Sequence, residues 1–311
     1  MPDGTGSRVS EIRVKLMDSQ GHHDFAVFRD RYAENMERMF AAVSDLYARY
    51  WHDFFHFAIF ENDDESWDEA FARTHHGYLK ALRAEQARKV LELACGRGGF
   101  ANILAENTSG TVLGIDISRA QLSHARRFRR ANLEFRHHDI MRVHELGELF
   151  DAISLLDADC YLPDKGLAIR RISEVMSRGA RFLLVAWCKR EGLAGVQEEL
   201  VLHPFMRYWG VPSLETPTGY RRHFRAARLE LIEEIDLNDK VRRNWEHGYK
   251  QALEGIRTLS LADLPGFLWK GLTLGSDGIR LLKEQFPAAL YIKAGFEAGF
   301  LRYVYFLGER M

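Results

Sequence analysis

The middle of the chain alternates short apolar runs with helical patterns, and this alternation constrains the fold more than any other feature. Five apolar runs recur: KVLELAC, TVLGIDIS, LEFRHHDI, FDAISLL and RFLLVAWC. Helical patterns such as FANILAEN and AQLSHARRFRRA lie between them, and another helix is predicted from about Lys165 to Met176. Short buried strands joined by helices are typical of a parallel sheet covered on both faces. The sequence therefore predicts an α/β fold with a doubly wound, mostly parallel sheet.

The two ends of the chain add helices and further strands to this core. Apolar positions recur at helical spacing over residues 25–51 and 67–87. Two later segments, LELIEEIDL and RYVYFLGER, are predicted as strands, with a long helical region between them. We divide the chain into an N-terminal arm with helices (1–80), a core (81–190), a helical cap rich in aromatics and arginines (191–228), and a C-terminal part of the core with an inserted helical segment (229–311).

Composition excludes several classes of protein. Acidic and basic residues number 44 and 43, whereas proteins that coat nucleic acid usually have a basic excess. The 3 cysteines are an odd number, which argues against a disulfide framework and suits a reducing compartment. No run of roughly 18 apolar residues could span a bilayer, and the N-terminus carries no apolar signal segment. We therefore expect a cytoplasmic protein that binds no nucleic acid and has no membrane span.

A glycine-rich turn, LELACGRGG at residues 91–99, lies between the first predicted strand and its helix. Glycines let the backbone approach a ligand closely and leave amide groups at the helix N-terminus free to bind it. Asp116 ends the second predicted strand, where a carboxylate can bind the hydroxyl groups of a ribose. Asp139 ends the third strand at the same edge of the sheet. These positions predict a nucleoside-containing ligand in the crevice at the strand ends.

The order of residues in this turn separates two classes of nucleotide-binding protein. The nicotinamide fingerprint is G-x-G-x-x-G, whereas the turn here reads A-x-G-x-G-G. Glu92, just before the turn, is an acid that could hold the amino group of a cationic amino-acid moiety, which a pyrophosphate lacks. A glycine turn that binds no nucleotide is the alternative.

Taken together, the motifs resemble those of the class I S-adenosylmethionine-dependent methyltransferases. VLELACGRGG is similar to their first motif, GIDIS to their second-strand motif, and HHDI to the acidic motif that reads adenine. The resemblance implies a Rossmann-like sheet of seven strands, with S-adenosyl-L-methionine as methyl donor and S-adenosyl-L-homocysteine as product. It places Glu92 near the methionine moiety, Asp116 on the ribose and Asp139 at adenine N6. The full cofactor site that it implies is Glu92, Ala94, Gly96, Gly98, Asp116, Ile117, Asp139, Ile140 and Leu156. Ala94 departs from the family pattern, which usually has glycine there.

The segment from 157 to 190 resembles a narrower group, which methylates carbon or oxygen on small lipophilic molecules. That group includes tocopherol, sterol and prenyl-diphosphate methyltransferases and enzymes of natural-product biosynthesis. Its pattern of an acid, a tyrosine four residues later and a P-D-K step corresponds here to Asp157, Tyr161 and the residues after it. Asp157 is shorter than the glutamate common in carbon-methylating relatives, and Asp159 lies beside it, so either acid could be the base. Asp164 is the better candidate for a helix N-cap.

The chemistry of methyl transfer gives these residues a role. An aligned nucleophile must lie about 3 Å from the methyl group, with water excluded. An alkene carbon that accepts the methyl group becomes a carbocation, which aromatic faces stabilise and a base then deprotonates. We therefore expect C-methylation of an isoprenoid or prenylated compound. The alternatives are O- or N-methylation of a hydroxyl or amine, and a cofactor-binding scaffold without catalysis.

Other parts of the sequence supply candidates for the acceptor pocket. Relatives place an N-terminal histidine and tyrosine over the cofactor, and His56 and Tyr47 are the positional matches, although His56-Phe57-Ala58 replaces the usual H-x-G. His56 joins Asp157, Asp159 and Tyr161 as a catalytic candidate, with a buried core histidine as the alternative. The expected acceptor contacts are Tyr47, Trp187, Tyr208, Trp209, Arg222 and Trp245, with the arginine serving an anionic group.

Metal binding and assembly are less marked in the sequence. The histidines that stand side by side do not face one another on a helix or strand, so no metal site is predicted. Magnesium is expected only with a diphosphate substrate. The aromatic segment YWHDFFHFAIF predicts a homo-oligomer interface through the N-terminal helices.

Overall fold

A computed structural model describes residues 29–50, 54–258, 284 and 286–311. Seven strands form one sheet in the order β3-β2-β1-β4-β5-β7-β6. The first five strands are parallel, and β7 runs antiparallel to both β5 and β6. The strands are β1 (Lys89–Leu93), β2 (Thr111–Asp116), β3 (Leu133–His137), β4 (Phe150–Leu156), β5 (Met176–Lys189), β6 (Leu229–Asp236) and β7 (Leu301–Arg310). The predicted doubly wound, mostly parallel α/β fold is confirmed.

Burial explains why the central strands have continuous apolar sequences. Four of the five residues of β1 are buried, as are six of the seven in β4, because helices cover both faces of a parallel sheet. The edge strand β6 differs, since it carries exposed acids such as Glu230 and Asp236. Charged side chains on an edge oppose pairing with another chain.

Nine α-helices of seven or more residues within the described ranges flank the sheet. They are α1 (Tyr32–Tyr50), α2 (Trp67–Leu82), α3 (Gly99–Glu106), α4 (Arg119–Ala125), α5 (Lys165–Glu174), α6 (His203–Trp209), α7 (Pro217–Ala226), α8 (Arg242–Thr258) and α9 (286–297). Side-chain caps fix several starts, as at α5, where Asp164 accepts a hydrogen bond from the Leu167 amide as expected. Of the helices in the described ranges, none is both long and apolar enough to cross a membrane.

The strand order reverses between β1 and β4, and ligands of such sheets bind in the crevice beyond the strand ends at this point. Four segments cover the crevice: α1, the residues around Phe55 and Phe57, the end of α6, and the pair α8 and α9 inserted between β6 and β7. The predicted cap at 191–228 contributes less, because α7 packs against α5 and β6 at the side of the sheet. The arm at residues 1–28 lies outside the described residues.

Candidate functional site

One cavity opens at the carboxyl ends of the strands and extends beneath α1, α8 and α9. Its wall combines residues predicted to contact a cofactor with residues predicted to contact an acceptor. The predicted residues that line it are Ala94, Gly96, Asp116, Ile117, Ile140, Leu156, Asp157, Tyr161, Trp187, Trp209 and Trp245. The cavity therefore brings together two sets of side chains that are distant in sequence.

The glycine turn adopts left-handed backbone at alternate positions. Ala94, Gly96 and Gly98 have φ angles of 51°, 54° and 81°. A Cβ atom at Gly96 would lie 3.1 Å from the ring of Phe55, so a side chain there would crowd the cavity wall. A Cβ atom at Gly98 would lie 2.7 Å from the ring of Phe135. Gly98 is thus required for packing between the turn and β3, and it does not line the cavity.

Asp116 connects the second strand to the glycine turn. Its Oδ2 accepts a hydrogen bond from the Gly96 amide at 2.8 Å, and its Oδ1 accepts one from the Ser118 amide at 2.7 Å. Burial raises the pKa of this carboxyl to about 6, although the backbone donors oppose the shift. The carboxyl lines the cavity with free lone pairs, which suits a bond to a ligand hydroxyl.

Glu92 is a buried acid whose carboxyl group is not fully hydrogen-bonded by the described residues. Its Oε2 has no hydrogen-bond partner within the described part of the chain. Burial raises its pKa well above the usual range, and the nearby charge of Asp116 adds to the effect. A buried carboxylate needs a cation or donors, and the ammonium group of S-adenosylmethionine would supply both. Glu92 itself does not line the cavity, whereas Gly96 and Asp116 do. The unpartnered oxygen and these two residues are groups that such a cofactor could use.

The HHDI motif, which ends with Asp139 and Ile140, lies beside helix α1. The Asp139 Oδ1 accepts a hydrogen bond from the Met141 amide at 2.8 Å, and its carboxyl also bonds to the Tyr32 side chain. Ile117 and Ile140 line the cavity close by, whereas the half-buried Asp139 does not. Two of the three expected adenine contacts, Ile117 and Ile140, therefore line the cavity, with Tyr32 as an additional wall residue.

Asp157 lies at the end of β4 in left-handed backbone, with a φ angle of 58°. Its Oδ2 accepts a hydrogen bond from the Phe57 amide at 3.2 Å, and its Oδ1 accepts one from the Tyr303 hydroxyl. Burial raises its pKa well above the usual range, while the hydrogen bond from Tyr303 acts in the opposite direction. A carboxyl group that lines a cavity in an unusual backbone conformation is a candidate for catalysis.

Asp159 has a different environment, although it is only two residues away. It does not line the cavity and is 1% exposed. Its oxygens accept hydrogen bonds from the Trp187 amide at 3.0 Å and the Tyr220 hydroxyl at 2.5 Å. Burial raises its pKa to about 6, and the buried Lys165 opposes that shift. Through these contacts Asp159 connects β5, α5 and α7, so it stabilises the packing of these elements.

His56 is buried and does not line the cavity. Its Nε2 lies 2.9 Å from the Nε2 of His75, so one imidazole donates to the other. Burial lowers the pKa of His75 to about 4 and that of His56 well below its usual value, which keeps both rings neutral. The described residues contain no cluster of three or more metal-ligating side chains. The structure thus places His56 in a core pair, and its neighbour Phe57 in the cavity wall.

The far end of the cavity is aromatic. The Trp187 ring stacks on Phe205 with centroids 5.7 Å apart, and the Trp245 ring lies parallel to Phe296 at 6.1 Å. Helix α8 adds Tyr249 to the wall. These rings form an aromatic surface near the end of β5, which β4 separates from β1 and its glycine turn.

Of the expected acceptor contacts whose side chains are described, two are not found in the cavity wall. Tyr208 stacks on Tyr291 at 5.9 Å and is absent from the wall. Arg222 is exposed on α7, outside the cavity, because Tyr220 and Phe224 form the buried face of that helix. The side chain of Tyr47 lies outside the described residues.

Some site residues were not predicted from the sequence. Tyr303 contacts Asp157, and Tyr32 contacts Asp139, from opposite ends of the chain. The alternation of YVYFLGER predicts that Tyr303 and Tyr305 share one face of β7, but it does not show that this face meets β4. The helical pattern around Tyr32 likewise predicts an apolar helix face, but it does not show that this face packs near Asp139.

Comparison with known proteins agrees with this geometry. Residues 90–179, which carry the glycine turn, Asp116, Asp139 and Asp157, match the family described as "Methyltransferase domain". This part of the chain is similar to a methyltransferase domain. The sequence resemblance to S-adenosylmethionine-dependent methyltransferases is therefore confirmed.

Similar proteins extend the comparison beyond the methyltransferase domain. Cycloartenol-C-24-methyltransferase 1 of Oryza sativa is 24% identical over 60% of this chain, and the match spans 58% of its own length, which is less than two thirds. The chloroplastic tocopherol O-methyltransferase of Arabidopsis thaliana is 22% identical over 84% of this chain and 77% of its own. The solved geranyl diphosphate C-methyltransferase of Streptomyces coelicolor superposes with a TM-score of 0.61 and 15% identity, covering 90% and 98% of the two chains.

Proposed function

We propose that this protein transfers a methyl group from S-adenosyl-L-methionine to a small lipophilic acceptor. One observation carries the proposal: Asp157 lines a cavity whose wall also contains Gly96, Asp116 and Trp187. The strand order puts the end of β4, with Asp157, between β1 with its glycine turn and β5 with Trp187. Such an arrangement supplies a nucleoside site, an apolar site and an ionisable group between them. These are the three parts that the chemistry needs.

The proposed cofactor contacts follow from the groups left available by the fold. When bound, S-adenosylmethionine supplies a methyl group on a positively charged sulfur. Glu92 would bind the ammonium of the methionine moiety through its unpartnered Oε2, and Asp116 would accept hydrogen bonds from the ribose hydroxyls. Ile117 and Ile140 would pack on the adenine, with Asp139 at its edge. Gly96 leaves the space that these groups require.

For the acceptor we propose carbon as the site of methylation. The π electrons of an alkene would form the new bond to the methyl carbon, while the electrons of the broken carbon–sulfur bond stay on sulfur. The acceptor would then hold a positive charge, which the faces of Trp187, Trp245 and Tyr161 can stabilise. Asp157 would take the proton that is lost when the double bond forms again. Relatives named as sterol and geranyl diphosphate C-methyltransferases support this choice.

A second candidate is methylation of a hydroxyl group. The tocopherol relative is named as an O-methyltransferase, and it matches more of this chain than the cycloartenol relative. In that reaction Asp157 would remove the hydroxyl proton directly. The geranyl diphosphate structure is described with Mg²⁺, and magnesium would enter here only with a diphosphate acceptor. Arg222, the residue expected to contact such an anion, lies outside the cavity, so we propose an acceptor without one.

A reaction with deuterated methyl donor tests the proposal. The protein would be incubated with methyl-deuterated S-adenosylmethionine and pools of sterols, prenylated phenols and terpenoids, and the products analysed by mass spectrometry. We expect the labelled methyl group in a lipophilic product with the wild type and little with Asp157→Asn. Binding of S-adenosylhomocysteine without any labelled product would indicate a cofactor-binding scaffold instead.

A further inference from the structure

Tyr303, on the last strand, joins the base to the sheet. It pairs with Trp187 across β5 and β7, and its hydroxyl donates a hydrogen bond to the Oδ1 of Asp157. The other carboxyl oxygen, Oδ2, accepts from the Phe57 amide at 3.2 Å. The same amide lies 3.3 Å from the Tyr303 hydroxyl oxygen. Asp157, Tyr303 and the Phe57 backbone therefore form one closed cluster at the cavity wall.

Packing prevents the Tyr303 hydroxyl from leaving this position. The residue is fully buried, and its ring lies 5.1 Å from the ring of Phe57 and 6.4 Å from that of Trp187. The backbone of Asp157 is also fixed, because its amide donates to the Val185 carbonyl at 3.0 Å. Both carboxyl oxygens are thus held, and Tyr303 supplies the side-chain hydroxyl donor that a single substitution can remove.

We propose that Tyr303 is a positioning residue for methyl transfer, which orients the Asp157 carboxyl group in the cavity and favours its ionised form. This proposal rests on the proposed function, in which Asp157 is the base. A hydrogen bond to the ionised form of a carboxyl group stabilises that form. Tyr303 therefore offsets part of the cost of burying the charge, so that Asp157 can accept a proton at moderate pH.

Several other groups lie near Asp157, and of these the Asp159 carboxyl acts against its ionisation. Tyr78 on α2 lies near enough for the Asp157 charge to raise its pKa, and the Asp159 carboxyl raises the pKa of Asp157 through charge repulsion. The Cys160 thiol is a further titratable neighbour, whereas the Trp187 side chain favours the charged form. Removing the Tyr303 hydroxyl leaves the repulsive contributions in place. The pKa of Asp157 should then rise by about one to two units, which is the usual effect of one hydrogen bond to a charged group.

The test compares Tyr303→Phe with Tyr220→Phe. Both substitutions remove a buried phenol hydroxyl from a carboxyl group and keep the ring, but Tyr220 contacts Asp159, which does not line the cavity. The first readout is an infrared pH titration of the carboxyl band without acceptor, with Asp157→Asn used to assign the band. The second is the pH dependence of kcat/KM for methyl transfer. Calorimetric binding of S-adenosylhomocysteine verifies that each variant is folded.

We expect Tyr303→Phe to shift both the Asp157 titration and the acidic limb of kcat/KM to higher pH by about one to two units. At high pH its kcat should approach that of the wild type, whereas Tyr220→Phe should leave both curves close to the wild type. Wild-type curves for Tyr303→Phe would overturn the proposal. A shifted infrared titration in a protein that methylates nothing would refute the proposed function but retain the link between Tyr303 and Asp157.

Discussion

The Asp116 carboxylate accepts a hydrogen bond from the Gly96 amide at 2.8 Å, and this bond joins the end of β2 to the glycine turn after β1. The two residues belong to different sequence motifs, yet they form one side of the same cavity. The bond satisfies the backbone amide of Gly96, whose backbone is left-handed, and so stabilises the conformation of the turn. The part of the cavity that we propose for the nucleoside is thus held together by a hydrogen bond within the protein.

Asp116 should make stability depend on pH. Its pKa is about 6 in the folded protein, raised from 3.8. Between about pH 4 and pH 6 the group is protonated when folded but ionised when unfolded, so rising pH lowers the free energy of unfolding. Asp116→Asn removes this titration. Urea unfolding should show the wild type losing about 3 kcal/mol relative to the variant across that window. Parallel pH profiles for the two proteins would contradict this account.

Glu92→Gln should weaken binding of S-adenosylhomocysteine, because glutamine cannot form the charged contact to the ammonium group. Calorimetry should show a loss of roughly tenfold to a hundredfold. Wild-type binding should also release a proton from Glu92, whose pKa is raised in the free protein, and the variant should not. Titrations in buffers of different ionisation enthalpy measure that proton. Glu106→Gln, at the exposed end of α3, is the matched control, and equal affinities for all three proteins would exclude the role of Glu92.

Ala94→Gly should stabilise the protein. Ala94 has a φ angle of 51°, and left-handed backbone costs an L-residue with a Cβ atom about 1 kcal/mol. Thermal or urea unfolding should therefore show a gain of about 1 kcal/mol. The control, Ala120→Gly in the regular helix α4, should lose about 0.5–1 kcal/mol. A comparable loss at both positions would show that Ala94 is not strained.

Asp157→Asn and Asp159→Asn separate the two candidate bases. Asparagine tolerates left-handed backbone and keeps an oxygen for the Tyr303 hydroxyl, but its NH2 group cannot accept from the Phe57 amide. Asp157→Asn should therefore fold and bind cofactor with some loss of stability. Its turnover should fall by about a hundredfold or more. Asp159→Asn disturbs the buried contacts to Tyr220 and Lys165. It should therefore lower the free energy of unfolding but retain most of the turnover. Initial rates and urea unfolding of both variants separate the two roles. Loss of turnover in Asp159→Asn, with turnover retained in Asp157→Asn, would make Asp159 the base.

Much of the fold could be predicted from the sequence because parallel strands are buried on both faces. Runs such as FDAISLL and RFLLVAWC therefore read as strands without knowledge of their partners, and the motifs at their ends mark one edge of the sheet. The position of the cover could not be predicted in this way. Helices α8 and α9 form part of the wall, and their approach to the crevice depends on contacts such as that of Trp245 with Phe296, which link distant segments.

The site was predictable to the extent that its chemistry is local in sequence. The glycine turn and Asp116 act within one strand–turn–helix unit, whereas the environment of Asp157 depends on Tyr303, 146 residues away. The two acids Asp157 and Asp159 have equivalent sequence settings, and only the fold directs one to the cavity and the other to Tyr220. Oligomerisation and cellular compartment stay predictions.

The position of the transferred methyl group tests the central claim most directly. The protein would be supplied with S-adenosylmethionine labelled with ¹³C in its methyl group and with the acceptor identified by mass spectrometry, and the product would be examined by NMR. We predict a labelled methyl group bonded to carbon, with one acceptor proton lost to solvent. A labelled methyl group on oxygen or nitrogen would contradict C-methylation, and the absence of any labelled product from a protein that binds S-adenosylhomocysteine would contradict methyl transfer itself.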